Sequence, residues 1–380
     1  MITEYDFKVD KKIIYNDKTS ILLELVRYNL VYKTILNIDK FFAQNHIKCY
    51  ANRLISVWIM NNISKHDPII PYNATNNTQL KRDIKYFASM SNCTENIDNI
   101  MDKLDIVKKF NKIYDELQYI KNNQTNIYDI LKIKKAVTDK VTLSLVLDDN
   151  YLFFKDYYLF NRFVELPTKV YDKLYSHYLN KDKELMNNLI FIICLRYKTL
   201  NSGNMQLAND PILFKKLYDK CNIDFELFAS SLNFYSNNYC SLFYDVERYF
   251  GSKGNFNNIK LIEGEYVANP PFDNNIMENM CKKLVKSIKE ANKKNLILSF
   301  FISIPNWKTT IEYGEFKCRK ILENSKLITF NLVLPKEKTR FYDHYLNKYI
   351  SPGEMWYIVI QSELAKKNSK LVETLSKYFN

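Results

Sequence analysis

The spacing of apolar residues predicts long helices in the first half of the chain. Between residues 20 and 46, apolar side chains recur at intervals of three and four, the pattern of an amphipathic helix. Two further segments repeat this spacing, 101–120 and 183–199. The segment 141–165 is different, because VTLSLVL alternates apolar and polar positions and indicates a hairpin that turns at 148–150. Residues 1–200 are therefore expected to form a mainly helical domain.

In the second half, short β-rich runs alternate with helical segments. The runs richest in branched and aromatic residues are 223–229, 259–268, 296–304, 326–334 and 355–361. Residues 275–294 place their apolar side chains on one helical face, and Asn275 and Glu278 resemble a capping box at its start. This alternation implies an α/β domain, a mostly parallel sheet covered by helices on both faces. We expect it to span residues 201–380, with Asn201–Asp210 as the hinge.

Composition supports this division and points to a polyanionic partner. All six glycines lie after residue 200, and a 47% hydrophobic content over 380 residues is enough for two cores. The 55 Lys and Arg residues exceed the 42 Asp and Glu residues, giving a formal charge of +13. Such an excess favours a nucleic acid, because basic side chains release counterions from its phosphates. A generally basic surface, as in proteins from A/T-rich genomes, explains the charge equally well.

The cysteines and histidines predict no metal site. The seven cysteines contain no Cys-x-x-Cys pair, and the four histidines lack metal-ligand or triad spacing. The best apolar run, at 296–304, is far shorter than the roughly 20 residues that cross a bilayer, so no membrane partner is expected. Because the first ten residues lack an apolar signal core, we expect an intracellular location. This would be the cytoplasm or nucleus, or the host cytoplasm or virion for a viral protein.

The segment Asn269-Pro270-Pro271-Phe272 suggests a pocket for an exocyclic amine. It directly follows a predicted strand, and ligands bind at the carboxyl ends of strands in such sheets. The Asn269 side chain and the Pro270 carbonyl can accept the hydrogens of an amine, while the prolines fix the loop. Phe272 offers a face for a flipped base. Methylation of adenine or of a glutamine amide fits this motif, and an ordinary Pro-Pro turn is the structural alternative.

Longer motifs narrow this choice. Residues 225–256 read FELFASSLNFYSNNYCSLFYDVERYFGSKGNF, residues 263–272 read EGEYVANPPF, and residues 299–307 read SFFISIPNW. In their order and spacing they resemble the cap-specific adenosine N6-methyltransferase family known as phosphorylated CTD-interacting factor. Ser231 stands where that family has proline, and Lys253 stands where it has arginine. The family's N-terminal WW module is expected to be missing, as in a viral or protist member.

The resemblance implies a Rossmann-like class I methyltransferase domain that uses S-adenosylmethionine. It implies that the turn after the first strand holds this cofactor, through Phe228, Ala229, Ser230 and Asn233. It also implies that the methyl acceptor is adenosine beside the 5′ cap, so that capped mRNA is the partner. By analogy with nucleotide-binding folds, Asp245 is a candidate for the cofactor ribose.

Several residues near predicted strand ends are candidates for RNA contacts. Trp307 can stack on a base. Phosphates can be reached by Lys253, Lys308, Lys336, Lys338 and Arg340. Two other functions stay open: an adenine methyltransferase acting on DNA or internal RNA sites, and a catalytically silent RNA-binding scaffold. The intact motif argues against the scaffold, and Phe272 together with the absence of a Gly-rich first motif argues against glutamine methylation.

Overall fold

The computed structural model describes residues 18–63, 66–91, 93, 95–123, 132–146, 153–154, 157–158, 163–200, 206–307 and 317–380. These residues form two compact units. The helical unit lies within Lys12–Thr168 and Asn180–Gly203, and the sheet unit lies within Lys169–Leu179 and Asn204–Asn380. The domain boundary at residues 200 and 201 remains a prediction. Residues 169–179 precede it but group with the sheet unit, where Lys173 donates to the carbonyl oxygen of Phe234.

The described elements are numbered in chain order. The helices are α1 (Lys18–Gln44), α2 (Ala51–Asn62), α3 (Thr78–Ser89), α4 (Ile97–Leu104), α5 (Ile106–Asn123), α6 (Thr168–His177), α7 (Lys183–Thr199), α8 (Pro211–Cys221), α9 (Tyr244–Glu247), α10 (Asn274–Lys294), α11 (Lys317–Ser325), α12 (Glu363–Asn368) and α13 (Leu371–Phe379). The strands are β1 (Lys132–Val137), β2 (Lys140–Val146), β3 (Phe153–Phe154), β4 (Tyr157–Tyr158), β5 (Phe163–Pro167), β6 (Leu207–Asn209), β7 (Phe225–Glu226), β8 (Asn238–Tyr239), β9 (Gly264–Ala268), β10 (Leu298–Pro305), β11 (Ile328–Leu334), β12 (Phe341–Asp343), β13 (Lys348–Ile350) and β14 (Met355–Gln361).

The helical unit combines long helices with a small antiparallel sheet. Helices α1 and α7 confirm the predictions at 20–46 and 183–199. The helix predicted at 101–120 is two helices, because Asp105 takes a left-handed conformation with φ 40° and ends α4 before α5 begins. Strand β2 pairs antiparallel with both β1 and β5, which confirms β structure within 141–165, whereas the proposed turn at 148–150 lies outside the described residues.

A buried ion network holds the helical unit together. Arg27 of α1 donates from Nη2 to Asp67 at 2.8 Å and pairs through Nη1 with Glu24. Arg196 of α7 donates from Nε to the same Glu24 at 2.8 Å. All four side chains are buried, and buried charges are tolerated only when they are paired in this way. The network fixes α1 against α7.

The sheet unit is built on a six-stranded mixed sheet in the order β11-β14-β10-β9-β7-β8. Strands β8, β7, β9 and β10 run parallel, and β14 lies antiparallel between β10 and β11. The sheet is therefore mixed, where a mostly parallel one was predicted. The strand predicted at 355–361 matches β14, while the runs at 223–229 and 259–268 contain only the short β7 and β9.

Helices cover both faces of this sheet, as the alternation of elements predicts. Phe300 of β10 packs into a core with Leu284 and Ile288 of α10. The next residue, Phe301, points to the opposite face and packs into a core that contains Leu217 of α8 and Leu375 of α13. No helix in the described ranges is long and apolar enough to cross a membrane.

A second, three-stranded sheet in the order β13-β12-β6 includes part of the segment predicted as a hinge. Residues 207–209 form β6 and pair antiparallel with β12, with Asn209 opposite Phe341 and Leu207 opposite Asp343. Asp210 then caps α8 by accepting a hydrogen bond from the backbone nitrogen of Ile212 at 2.9 Å. This part of the chain is consequently structural, and residues 201–205 lie outside the described residues.

Candidate active site

Three neighbouring parallel strands bring the predicted motifs to one edge of the large sheet. Strands β7, β9 and β10 end at Glu226, Ala268 and Pro305. Glu226 lies opposite Val267, and Ala268 lies opposite Ile302, so β7 and β9 end at similar heights and β10 extends three residues further in the same direction. The turn at 227–233, the Asn269–Phe272 segment and Trp307 therefore all follow strand ends at the same carboxyl edge, where ligands bind in such sheets.

Asn269 presents an unused acceptor at this edge. Its Nδ2 donates to the carbonyl oxygen of Leu207 at 3.4 Å, which orients the amide. Its Oδ1 is buried and has no hydrogen-bond partner among the residues that the structure describes. Leaving a buried polar atom unpaired typically costs about 1–3 kcal/mol, so such an atom calls for an explanation. A ligand that donates a hydrogen bond at this position would satisfy it.

The two prolines lead directly into α10. Pro270 is buried, Pro271 is half-buried, and the carbonyl oxygen of Pro271 accepts from the backbone nitrogen of Asp273 at 2.8 Å. The Asp273 carboxylate then accepts from the backbone nitrogens of Asn275 and Ile276 at 3.1 and 3.0 Å. Asp273 is thus the N-cap that fixes the loop to the helix.

The predicted capping box at Asn275 and Glu278 is wrong. Helix α10 begins at Asn274, one residue earlier than predicted, because the side chain of Asp273 supplies the cap. Glu278 lies within the helix instead and forms an ion pair with Lys282 at 2.6 Å, one turn further on.

Phe272 is half-buried beside this loop. Its ring makes an edge contact with the ring of Phe341, with centroids 6.3 Å apart and an interplanar angle of 73°. Such edge-to-face pairs fix the orientation of a ring. Phe272 is therefore held by β12, an element that the sequence did not predict.

The turn after β7 is closed by its own side chains. The backbone nitrogen of Ser230 donates to Oδ1 of Asn233 at 2.7 Å, and the Asn233 nitrogen donates back to the Ser230 carbonyl oxygen at 3.1 Å. The Ser230 hydroxyl donates to Oε1 of Gln206 at 2.8 Å. Before the turn, Phe228 packs on Phe256 with ring centroids 4.5 Å apart, and Ala229 is half-buried. Asn233 consequently shapes the turn through its oxygen.

Gln206 was missed by sequence reasoning because it lies in the predicted hinge. Gln206 is 2% exposed, and within the described ranges its Nε2 has no hydrogen-bond partner. Its Oε1 is fixed by Ser230, so Nε2 is an oriented donor next to the turn. The carboxylate of a methionine group is an acceptor that would satisfy this donor. The residues present therefore fit the methionine end of S-adenosylmethionine.

Two acidic residues follow β8, and the structure gives them different surroundings. Glu247 is fully buried, and its carboxylate accepts from the backbone nitrogens of Ser231 at 2.7 Å and Phe243 at 2.9 Å. Glu247 therefore stabilises the turn after β7 through the backbone nitrogen of Ser231. Asp245 is half-buried on the same short helix, and its role toward a ribose remains a prediction.

A buried carboxylate and a half-buried amine lie next to the residues that follow this turn. Oε1 of Glu226 accepts from the backbone nitrogens of Tyr235 and Ser236 at 2.6 and 2.7 Å, and burial raises the pKa of Glu226 to about 7. The Lys173 ammonium lies 3.9 Å from the ring centroid of Phe234, and burial lowers the pKa of Lys173 to about 8. Nothing in the sequence pattern indicates this pair.

Basic residues also lie at the carboxyl edge. Because β11 and β10 both run antiparallel to β14, the turn after β11 lies at this edge and carries the exposed Lys336 and Lys338. The Arg340 guanidinium stacks on the ring of Tyr349 at 4.3 Å.

The remaining predicted RNA contacts have mixed outcomes. Lys253 is exposed and Trp307 is half-buried against the core, whereas Lys308 lies outside the described residues. The described parts of the chain contain no group of three His, Cys, Asp or Glu side chains placed to hold a metal ion.

Comparison with known proteins agrees with these motifs. A family model described as "Phosphorylated CTD interacting factor 1 WW domain" matches residues 168–344, a range that includes the turn after β7 and the Asn269–Phe272 segment. Over these residues the chain is similar to the phosphorylated CTD interacting factor 1 family. The expectation that the WW module is missing is wrong, because the family model that matches is the one described as its WW domain. The match covers most of the described sheet unit.

Two curated relatives in this family carry the same name. An "mRNA (2'-O-methyladenosine-N(6)-)-methyltransferase" of Mus musculus is 33% identical over 117 residues, and the Homo sapiens protein of that name is 32% identical over 117 residues. Each alignment covers 29% of this chain and 16% of the relative. The similarity to these family members is thus confined to about a sixth of their length.

Proposed function

We propose that this chain is a Rossmann-like class I methyltransferase that methylates the N6 amine of adenosine beside the 5′ cap of mRNA. The observation that carries this proposal is the buried, unpartnered Oδ1 of Asn269 at the carboxyl edge of the sheet, within the described residues. An amine would supply the hydrogen-bond donor that this acceptor lacks. The names of the two relatives supply the class of substrate.

The sheet supports the proposed fold. Four parallel strands and a reversed β14 inserted between β10 and β11 form a sheet that helices cover on both faces. The candidate residues lie at the carboxyl edge, the usual position of a nucleotide-like ligand. A methyltransferase of this class needs two adjacent sites there, one for the methyl donor and one for the acceptor.

The proposed donor site lies at the turn from Phe228 to Asn233. Gln206 Nε2 and the small side chains of this turn would hold the methionine end, and Asp245 would accept from the ribose hydroxyls. S-adenosylmethionine, when bound, supplies a methyl group on an electrophilic sulfonium. Hydrogen bonds to Glu247 and Asn233 hold the shape of the turn. Little conformational entropy of the turn is therefore lost when a ligand binds.

The proposed acceptor site lies at Asn269–Phe272. The lone pair of the adenine N6 amine is delocalised into the ring, and acceptors aimed at its hydrogens favour the geometry in which that lone pair becomes available. Asn269 Oδ1 and the Pro270 carbonyl would accept these hydrogens, and Phe272 would stack on the base. The released proton can pass to water, so the chain mainly orients the amine.

A capped RNA would be accommodated by the basic residues at the same edge. Lys336 and Lys338 are exposed there, and the chain carries a formal charge of +13. Electrostatic attraction of this kind does not read sequence, and it suits an RNA backbone that runs past the pocket.

The proposal is tested with labelled cofactor and short RNAs of one sequence. The first nucleotide of each RNA is adenosine or 2′-O-methyladenosine, and its 5′ end carries either a cap or a triphosphate. A duplex DNA of matching sequence is included. We expect label in the first nucleotide of the capped RNAs, released as N6-methylated adenosine, and no label with Asn269→Ala. Equal labelling of capped and triphosphate RNA, or preference for DNA, would contradict cap specificity. Absence of transfer to every substrate would contradict the enzyme activity itself.

A further inference from the structure

Asn209 is a buried primary amide on β6. The residue is 2% exposed, and in the part of the chain that the structure describes neither Oδ1 nor Nδ2 has a hydrogen-bond partner. A primary amide can take part in four hydrogen bonds, and an apolar side chain of similar size would avoid the cost of burying it. The buried amide therefore lowers the stability of the fold, which suggests that it serves a function.

Its position places it beside the proposed acceptor pocket. Asn209 lies opposite Phe341 in the antiparallel pairing of β6 with β12, which puts the two side chains on the same face of that sheet. Phe341 makes the edge contact with Phe272. Two residues before Asn209 on the same strand, Leu207 accepts the hydrogen bond that orients Asn269. Asn209 is thus linked to Asn269 through Leu207 of its own strand, and to Phe272 through Phe341 of the paired strand.

We propose that Asn209 recognises the adenine base, by donating from Nδ2 to a ring nitrogen that flanks the N6 amine. This inference rests on the proposed function and adds the residue that selects the base. Asn269 and Pro270 would engage the amine, while Asn209 would engage N1 or N7 of the ring.

The chemistry of the pocket favours adenine over guanine. Adenine presents an acceptor nitrogen on each side of its amine, and an asparagine amide pairs well with such an edge. Guanine presents a carbonyl oxygen and an N1–H at the corresponding positions, which leaves the Asn269 oxygen facing an acceptor. An uncharged amide also suits a neutral base, because the pocket then buries no unpaired charge.

The inference predicts opposite effects on stability and on activity. Asn209→Leu removes two unpaired polar atoms from the protein interior, so the variant should have a higher Tm than the wild type without ligand. The same change should lower kcat/KM for adenosine, because the base loses a hydrogen bond. A residue with a purely structural role would not separate the two effects in this way.

The decisive experiment uses capped RNAs whose first nucleotide is adenosine, 1-deazaadenosine or 7-deazaadenosine. In each analogue a C–H group replaces one ring nitrogen and removes one acceptor. The wild type should use one analogue about tenfold less efficiently than adenosine, which identifies the nitrogen that Asn209 contacts. Asn209→Leu should use adenosine and that analogue equally.

Asn331→Leu is the matched control on another strand of the same unit. Oδ1 of Asn331 accepts from Nε1 of Trp356 at 2.7 Å, so this variant should not gain stability and should keep the wild-type discrimination. Equal use of all three RNAs by the wild type, or unchanged discrimination in Asn209→Leu, would overturn the inference and leave the proposed function standing. A wild type that methylates none of them would overturn both.

Discussion

The Asn269 amide is anchored through its Nδ2 to the carbonyl oxygen of Leu207 at 3.4 Å, and its Oδ1 is buried without a partner among the described residues. One end of the amide is thus fixed and the other is available. We expect Asn269→Ala to reduce methyl transfer by about 10²–10³-fold, the usual effect of losing a preorganised polar contact in a transition state. Single-turnover assays with labelled cofactor measure this loss.

The fold should tolerate Asn269→Ala, because the anchoring hydrogen bond is long. Its Tm should be close to that of the wild type. Asn257→Ala, which changes an exposed asparagine outside the strand ends, serves as the control and should keep full activity. An Asn269→Ala variant within a few-fold of wild-type activity would remove Asn269 from the proposed chemistry.

Phe272 should act through its aromatic face. Phe272→Ala removes the ring that contacts Phe341 and should cripple turnover, whereas Phe272→Tyr and Phe272→Trp should retain part of it because a stacking face survives. Comparing kcat/KM of the three variants on one capped RNA tests this order. If alanine and tyrosine behave alike, stacking on Phe272 does not contribute to turnover.

The turn after β7 should control cofactor affinity. Asn233→Ala deletes the oxygen that accepts from the Ser230 nitrogen at 2.7 Å, so the turn loses its closed shape. We expect binding of S-adenosylmethionine, measured by calorimetry, to weaken by about tenfold, the effect of one hydrogen bond. Asn237→Ala is the control, because this exposed residue contacts Asp224 outside the turn. Equal affinities of the two variants would show that the cofactor lies elsewhere.

Stability should depend on the ionisation of Glu226. Burial raises the pKa of this carboxyl from 4.5 to about 7, so the folded chain binds its proton more tightly than the unfolded chain does. The wild type should therefore lose stability as the pH rises from about 4.5 to 7. Glu226→Gln keeps an acceptor for the nitrogens of Tyr235 and Ser236 but does not titrate.

Thermal unfolding of both proteins between pH 5 and about 7 measures this effect. The Tm of Glu226→Gln should rise relative to that of the wild type as the pH increases. A difference that stays constant over this range would show that folding does not raise the pKa of Glu226. Lys173 is the nearby cation, and its pKa of about 8 keeps it mostly charged throughout this window.

The elements that the sequence predicts well are those whose partners lie on the same segment. The amphipathic spacing of 275–294 and the apolar run at 355–361 correspond to α10 and β14 within one residue. Both could be predicted because the order of apolar and polar residues within the segment shows whether one face or the whole element is buried. The Asn269–Phe272 segment also follows β9 as predicted, since a proline pair ends a strand.

The parts that were missed depend on distant residues. Strand β6 is three residues long and exists because β12, more than 130 residues later, pairs with it. The surroundings of Gln206, Asn209 and Glu226 depend on such distant contacts, and the segment that contains Gln206 and Asn209 was predicted as a hinge instead of a strand. The N-cap was misassigned for a related reason: Asp273 and Asn275 are both good capping residues, and the rigid proline loop decides between them.

The exposed lysines after β11 provide a test of where a nucleic acid lies on the sheet unit. Lys336 and Lys338 occupy the carboxyl edge, the edge at which the proposed pocket lies, while Lys293 and Lys294 occupy the end of α10 at the opposite edge. Each phosphate contact with a single strand contributes about 0.7 to the slope of log affinity against log salt concentration. Changing Lys336 and Lys338 together to Gln should therefore reduce this slope by about 1.4 and weaken RNA binding at low salt.

The double change of Lys293 and Lys294 to Gln removes the same charge from the other edge and should leave the slope unchanged. Fluorescence anisotropy with a labelled capped RNA at several salt concentrations measures both variants. If the two double variants lose affinity equally, the charge of +13 acts as a diffuse attraction rather than as an RNA path along the carboxyl edge. If only the Lys336 and Lys338 variant changes, the RNA backbone runs past the turn after β11, at the same carboxyl edge as Asn269.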